Sequence, residues 1–286
     1  MYNKMDLPDE VYDYLNEKLS LDGTIVCDAA RYVVLNKGHM WRPVVTIKTA
    51  EMYGVSKARI MPFAAGIELV HGATLVLDDM PSMDNSPMRR GKKSCHLEFG
   101  EDIAELCSHY LVSFADLITA ESDVNDKQYR EVIKETKSTA LNLIQGQEID
   151  LRCLNIESSK EIDRFYGMKS GSLYASAAVI GGIVGDAYED ELKQLRAFGM
   201  NLGIAYQYGD DLYDLLGNSD DLGKPTGQDV GKKTPIDILG VEGTKEVREK
   251  FEDAARESLK NLPRDVSSLD ELINKVTGTH QGFDQY

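Results

Sequence analysis

The sequence is short of positive charge. Its 286 residues carry 32 Lys and Arg against 48 Asp and Glu, a formal net charge of −16, with a pI near 4.8. Nucleic acids and anionic lipid surfaces both demand a positive face, so neither is an expected partner. Proline is also sparse. There are eight, and none lies between Pro87 and Pro225, which leaves that stretch free to be helical. The four cysteines, Cys27, Cys95, Cys107 and Cys153, stand far apart with no CxxC pair. That excludes the usual zinc and dithiol signatures and reads as reduced, buried thiols. The longest nearly apolar stretch, 172–185, spans 14 residues, too few to cross a bilayer. The first residues, MYNKMDLPDEVYDY, are acidic and contain no signal-type apolar region, so the expectation is a cytoplasmic protein with no stable membrane anchor.

The composition is that of a folded globular chain: 42% hydrophobic, 28% charged and a mean hydropathy of −0.34. Apolar residues recur at helical spacing, as in Leu192, Leu195, Leu202 and Tyr206. Capping-box patterns occur at Ser158 with Glu161, Asp186 with Glu189, and Ser268 with Glu271. No run alternates long enough to suggest a sheet. The pattern predicts about ten helices, over 9–20, 24–36, 43–53, 57–79, 95–119, 128–154, 160–182, 188–216, 234–259 and 267–277. Polar loops at 80–93 and 217–233 interrupt them. No linker divides the chain, which reads as one all-α domain, 1–286.

Two carboxylate clusters carry the chemistry. The first, Asp78-Asp79-Met80-Pro81-Ser82-Met83-Asp84, follows an apolar helix that Pro81 should end near Asp79. Two carboxylates at a helix C-terminus oppose the helix dipole unless a cation offsets them. In the second, Gln207, Asp210, Asp211 and Asp214 fall at i, i+3, i+4 and i+7 and so form one stripe of one helix. Like charges so spaced repel. Oxygen-only donors of this kind suit Mg²⁺, which is often shared with substrate phosphates. Each cluster is followed by Gly with Lys or Arg: Arg89-Arg90-Gly91-Lys92 after the first, Gly223-Lys224 and Gly231-Lys232-Lys233 after the second. Carboxylates that hold metal beside fixed cations are a means of gripping a diphosphate. The segment Gly227 to Thr234 has three residues between its glycines, where a P-loop needs four, and it follows a helix, so it is rejected as a nucleotide loop.

At these residues the sequence resembles the trans-isoprenyl diphosphate synthases, the polyprenyl synthetase family that makes geranyl, farnesyl and geranylgeranyl diphosphates. The resemblance runs from about Asp28 to Leu239. It implies an all-α helical bundle of the isoprenoid synthase type around a central cavity, usually as a homodimer. It implies a Mg²⁺-dependent condensation of isopentenyl diphosphate with an allylic diphosphate, with three Mg²⁺ per site in the family. Asp78, Asp79 and Asp84 correspond to the first aspartate-rich motif and Asp210, Asp211 and Asp214 to the second. Asp150 looks like a further metal-side carboxylate. Arg89, Lys169, Ser170, Gln207, Lys224 and Lys232 match positions that grip the allylic diphosphate, Lys169 counting also as catalytic. Arg42, His71, Arg90 and Tyr206 match the isopentenyl diphosphate side. In the family, the residue five before the first motif limits product growth when bulky. Here it is Ala73, followed by Thr74, which implies a C20-type all-trans product, with longer or C15 products as the alternatives.

The match departs from the family in one half of the site. Its Gly-Gly-Lys-Arg-x-Arg-Pro motif reads Lys37-Gly38-His39-Met40-Trp41-Arg42-Pro43. His39 replaces a lysine expected to bind isopentenyl diphosphate, and Met40 replaces an arginine. An ordinary His is only about one-quarter charged at pH 7. Condensation is favoured because Arg42, His71, Arg90 and His96 are all retained. The alternatives are a terpene synthase that ionises its substrate without condensation, and a silent subunit of a heteromeric enzyme, though no aspartate of either motif is lost.

Overall fold

The computed structural model describes residues 7–19, 23–36, 38–152, 158–216 and 234–278. The helices run in the order α1 (Leu7–Lys18), α2 (Ile25–Val34), α3 (Trp41–Met52), α4 (Lys57–Asp78), α5 (Cys95–Phe99), α6 (Glu101–Ala120), α7 (Asp126–Arg152) and α8 (Ser159–Tyr166). A π-helical turn (Gly167–Gly171) then leads into α9 (Ser172–Val184), α10 (Glu189–Leu216), α11 (Pro235–Lys260) and α12 (Ser267–Thr277). The all-α expectation is met. Among the described residues, the one addition is a two-stranded hairpin, β1 (Met88–Arg89) and β2 (Lys92–Lys93), paired Met88 to Lys93 and Arg89 to Lys92. It is too short to show as an alternating pattern.

The chain forms two compact units. The first takes in Met1–Val44 and Lys57–Asp123. At its centre is α4, with Phe63, Ala64, Ala65, Ile67, Leu69, Ala73 and Val76 all buried. A helix apolar on every side must be enclosed, and α1, α2 and α6 pack on it. By length and composition alone α4 could cross a bilayer, yet most of its apolar window is buried in the fold. The second unit takes in Val45–Ser56, Val124–Gly217 and the described residues after Asp229. Its centre is α9, all thirteen of whose residues are buried. Helix α10 can lie close against α9 because Gly199 and Gly203 face it. A Cβ on Gly199 would come within 2.4 Å of the Tyr174 carbonyl, and one on Gly203 within 2.6 Å of Gly171 Cα.

Two of the expected helices change, and two of the three expected capping boxes do not form. The helix expected over 95–119 is two, because Gly100 adopts φ +97, a conformation outside any helix, between α5 and α6. The helix expected over 160–182 contains the π turn. Of the capping boxes, Ser158–Glu161 forms, with the Ser158 N–H donating to Glu161 Oε2 at 3.0 Å. The other two do not. Asp186 lies at φ +54 and accepts from Gln128, while Tyr188 N–H donates to Glu191 at 2.9 Å. Ser268 lies inside α12, whose start is held by Asp265 accepting from Ser267 N–H. Cys27, Cys95 and Cys107 are free and buried, as expected; Cys153 lies outside the described residues.

Candidate active site

In the first unit, α4 ends at Asp78, so the first aspartate pair sits at a helix C-terminus as expected. The chain folds back at once, with Asp84 N–H donating to the Asp78 carbonyl at 2.9 Å. Asp79 is buried at 2% exposure and grips Arg89: Nη2 donates to Oδ1 at 2.5 Å, and Nε lies 3.2 Å from both carboxylate oxygens. Here is the cation that offsets the helix dipole. Burial raises the Asp79 carboxyl above the usual range, Arg89 pulls it down and Asp84 pushes it up. Asp84 itself is exposed.

The hairpin presents the two arginines. Its two loop residues, Arg90 and Gly91, have φ +51 and +76, the positive pair that a tight type I′ turn requires. Glycine meets that demand freely, whereas arginine at such φ is strained. Arg90 Nη1 donates to the Asn36 carbonyl at 2.9 Å, and Nη2 lies 3.4 Å from Glu68 Oε1. Asn36, Asp79, Arg89, Arg90 and Lys93 line one small cleft. Arg42 Nη1 lies 3.1 Å from His71 Nε2. Burial, then Arg42, Arg90 and Arg89, hold the His71 pKa well below its ordinary value. Arg42, His71 and Arg90 are therefore gathered in the first unit.

The residues that replace the family's Lys-Arg pair behave differently from cations in a pocket. Met40 is 2% exposed at φ +56, so that position is part of the core. His39 is exposed and stacks parallel to Trp41, centroids 5.9 Å apart. His96 is buried, with Nδ1 lacking a hydrogen-bond partner. Ala73, which the resemblance matches to a position that limits product length, is 2% exposed, and its carbonyl accepts from Ser108 at 3.3 Å. Thr74 donates to the His71 carbonyl at 2.8 Å. A bulkier residue at 73 would therefore press on packed core.

In the second unit the acidic stripe of Gln207, Asp210, Asp211 and Asp214 lies half-buried on α10, beside half-buried Tyr206. Ser170 Oγ donates to Gln207 Oε1 at 2.6 Å, and Tyr166 OH donates to Asp211. Tyr208 OH donates to Asp163 at 2.7 Å, and burial followed by that carboxylate pushes the Tyr208 phenol well up. Lys169 and Ser170 both lie in the π turn, a form frequent at functional sites. Lys169 pairs with Asp150, which is 8% exposed. Asp150 thus already has an ammonium against it. Gly146 allows the turn to sit on α7, since a Cβ there would be 2.8 Å from Lys169 N. Lys224 and Lys232 lie outside the described residues.

The donor set fits Mg²⁺, being all oxygen and mostly carboxylate. Among the described residues no three such side chains are already drawn together as a metal cage. Asp79 holds Arg89 and Asp211 accepts from Tyr166 instead, so metal would exchange for those contacts. Residues not foreseen are Tyr12, Asn36, Glu68, Asp163, Tyr166 and Tyr208. Glu68 had a legible signal, a lone carboxylate in an apolar helix; the others had none.

Comparisons with known proteins bear on the family and the fold. A family model described as polyprenyl synthetase matches residues 24–276. The chain is 33% identical over 263 residues to geranylgeranyl pyrophosphate synthase 10, mitochondrial, of Arabidopsis thaliana, covering 87% of this chain and 76% of that protein. Among solved structures it is similar to geranylgeranyl pyrophosphate synthetase from Pyrococcus horikoshii Ot3, with TM-score 0.85, 26% identity, and coverage of 95% of this chain and 96% of that one. In fold it is similar to a geranyltransferase from Helicobacter pylori complexed with magnesium and isoprenyl diphosphate, with TM-score 0.81, 20% identity, and coverage of 99% and 100%.

Proposed function

Because the chain belongs to the polyprenyl synthetase family, we infer that it is a prenyltransferase that joins isopentenyl diphosphate to an allylic diphosphate and releases a C20-type all-trans prenyl diphosphate. The observation that carries condensation is the gathering of Arg42, His71 and Arg90 in the same unit as the Asp79–Arg89 pair. These groups form an anion site additional to the aspartate clusters.

Mg²⁺, when bound by Asp78, Asp79, Asp84, Asp210, Asp211 and Asp214, would stabilise negative charge on the diphosphate. Arg89, Lys169 and the Ser170–Gln207 pair bind and orient the allylic diphosphate, and their fixed positive and polar groups favour departure of the anion. The C–O bond breaks with its electron pair going to the diphosphate. The isopentenyl double bond supplies the pair for the new C–C bond, and the released diphosphate accepts the proton lost. Arg42, Arg90 and His71 hold the isopentenyl diphosphate while this happens. No protein nucleophile is needed. The enzyme works as a homodimer in this reading, supported by an apolar stripe on α6 of Leu106, Tyr110, Phe114 and Leu117, in which both leucines are 53% exposed.

The test is to incubate the protein and Mg²⁺ with each allylic diphosphate, with and without isopentenyl diphosphate, and to identify products by mass spectrometry. Elongated diphosphates formed only with isopentenyl diphosphate are expected. Hydrocarbons or alcohols formed without it would make the protein a lyase instead. Asp79→Asn and Asp211→Asn should each lower kcat on the order of 10²-fold or more.

A further inference from the structure

Glu68 sits where a carboxylate is least welcome. Ala64, Ala65, Ile67 and Leu69 around it on α4 are buried, and Glu68 itself is 3% exposed. A buried charge is retained only when it is paired. The pairing is with Arg90, and Arg42 also acts on Glu68 through space. Burial raises the Glu68 carboxyl while both arginines pull it down.

Arg90 is held from other sides too. Asn36 supplies its carbonyl to Nη1, and the Asn36 amide reaches back to the Arg90 carbonyl at 3.4 Å. Gly38 lies against the guanidinium so closely that a Cβ there would be 2.4 Å from Arg90 Cζ. Gly38 in turn is tied to α1, with Tyr12 OH donating to its carbonyl at 3.1 Å and its N–H donating back to the Tyr12 oxygen. A side chain caged on several sides, on a backbone at positive φ, is set before its ligand arrives.

We propose that Glu68 is a positioning residue for isopentenyl diphosphate, holding the Arg90 guanidinium, against the repulsion of Arg42, in the orientation that receives the homoallylic diphosphate. This rests on the prenyltransferase reading. The proposal makes a prediction opposite in sign to simple electrostatics. An anion near a diphosphate site opposes binding, so if charge alone mattered, Glu68→Gln would tighten isopentenyl diphosphate binding. Positioning requires the reverse.

The experiment measures steady-state kinetics with each substrate varied for Glu68→Gln, Gly38→Ala, Arg90→Gln and the Glu68→Gln/Arg90→Gln double variant. Glu68→Gln should raise KM for isopentenyl diphosphate about tenfold, with kcat and the allylic KM within about twofold. Gly38→Ala presses on the end of a flexible side chain rather than on backbone, so it folds and should show the same signature, which keeps the test open if Glu68→Gln is unstable. The double variant should be no worse than Arg90→Gln alone. An unchanged or lower KM in Glu68→Gln, or additive losses in the double variant, would overturn the proposal. If Arg90→Gln itself leaves KM for isopentenyl diphosphate unchanged, the assignment of Arg90 to that substrate fails, and the proposal with it.

Discussion

His71 is a base kept neutral among guanidinium groups. Arg42 can only donate, so His71 Nε2 accepts and the imidazole carries its proton on Nδ1. Its folded pKa lies well below 6.5, whereas the unfolded chain takes up a proton as pH drops through about 6.5. The stability it contributes is therefore present above about pH 6.5 and is lost as pH falls towards the folded value. Glu68 and Asp79, whose carboxyls are raised, act in the opposite sense and gain from acid. Thermal midpoints of the wild type and His71→Gln, measured from about pH 8 to pH 5, isolate the histidine. The wild type should lose stability more steeply towards acid; parallel curves would mean that His71 is charged in the fold. At this scale the aspartates were legible, because like charges in a helical stripe are costly without a function. The burial of Met40 and the cage around Arg90 were not, since both depend on backbone φ and on residues distant in sequence, Tyr12 among them.

Among the elements, the π turn between α8 and α9 is closely seated on α7. A Cβ on Gly146 would meet Lys169 N at 2.8 Å and Cα at 3.0 Å. The obstacle is backbone, so Gly146→Ala must move the turn that carries Lys169 and Ser170. The expected result is a loss of about 1–3 kcal/mol together with a raised KM for the allylic diphosphate. Ser158→Ala, which removes the Ser158–Glu161 capping box at the start of α8, should cost about 1 kcal/mol and leave the kinetics alone. Chemical denaturation beside steady-state assays separates the two. Equal kinetic behaviour would mean that the turn is not what places Lys169. Helix positions were readable from apolar period and proline spacing. The π turn was not, because the residues it packs against, Gly146 and Gly203, lie on other helices, and the break at Gly100 shows only as one glycine inside a periodic run.

For the molecule as a whole, charge and apolar surface oppose each other. Two copies each carrying −16 repel at long range, and screening weakens that repulsion as salt rises. Association through the α6 stripe should therefore tighten with ionic strength. Leu106→Asp with Leu117→Asp should give a monomer by sedimentation velocity at every salt concentration, since exposed substitutions rarely harm the fold itself. A wild type that sediments as a monomer throughout, or a variant that still dimerises, would reject the stripe as the contact. The family and fold were legible across nearly the whole length, because paired motifs and helical period survive divergence. The exposed apolar stripe on α6 was not, because exposed leucines on one helix are indistinguishable by sequence from its buried ones.

Helix α4 also serves as a ruler. His71 and Asp78 stand seven residues apart, two turns along one face, which fixes about 10 Å between them. The dimension is cut into the peptide backbone rather than set by side-chain choice. Substitutions along α4 can change what each mark on the ruler holds, but only an insertion or deletion can change the distance between the marks. One added residue would advance the aspartates by about 1.5 Å and swing them about 100° around the axis. The separation of His71 from the first aspartates is thus the dimension of α4 least open to gradual adjustment.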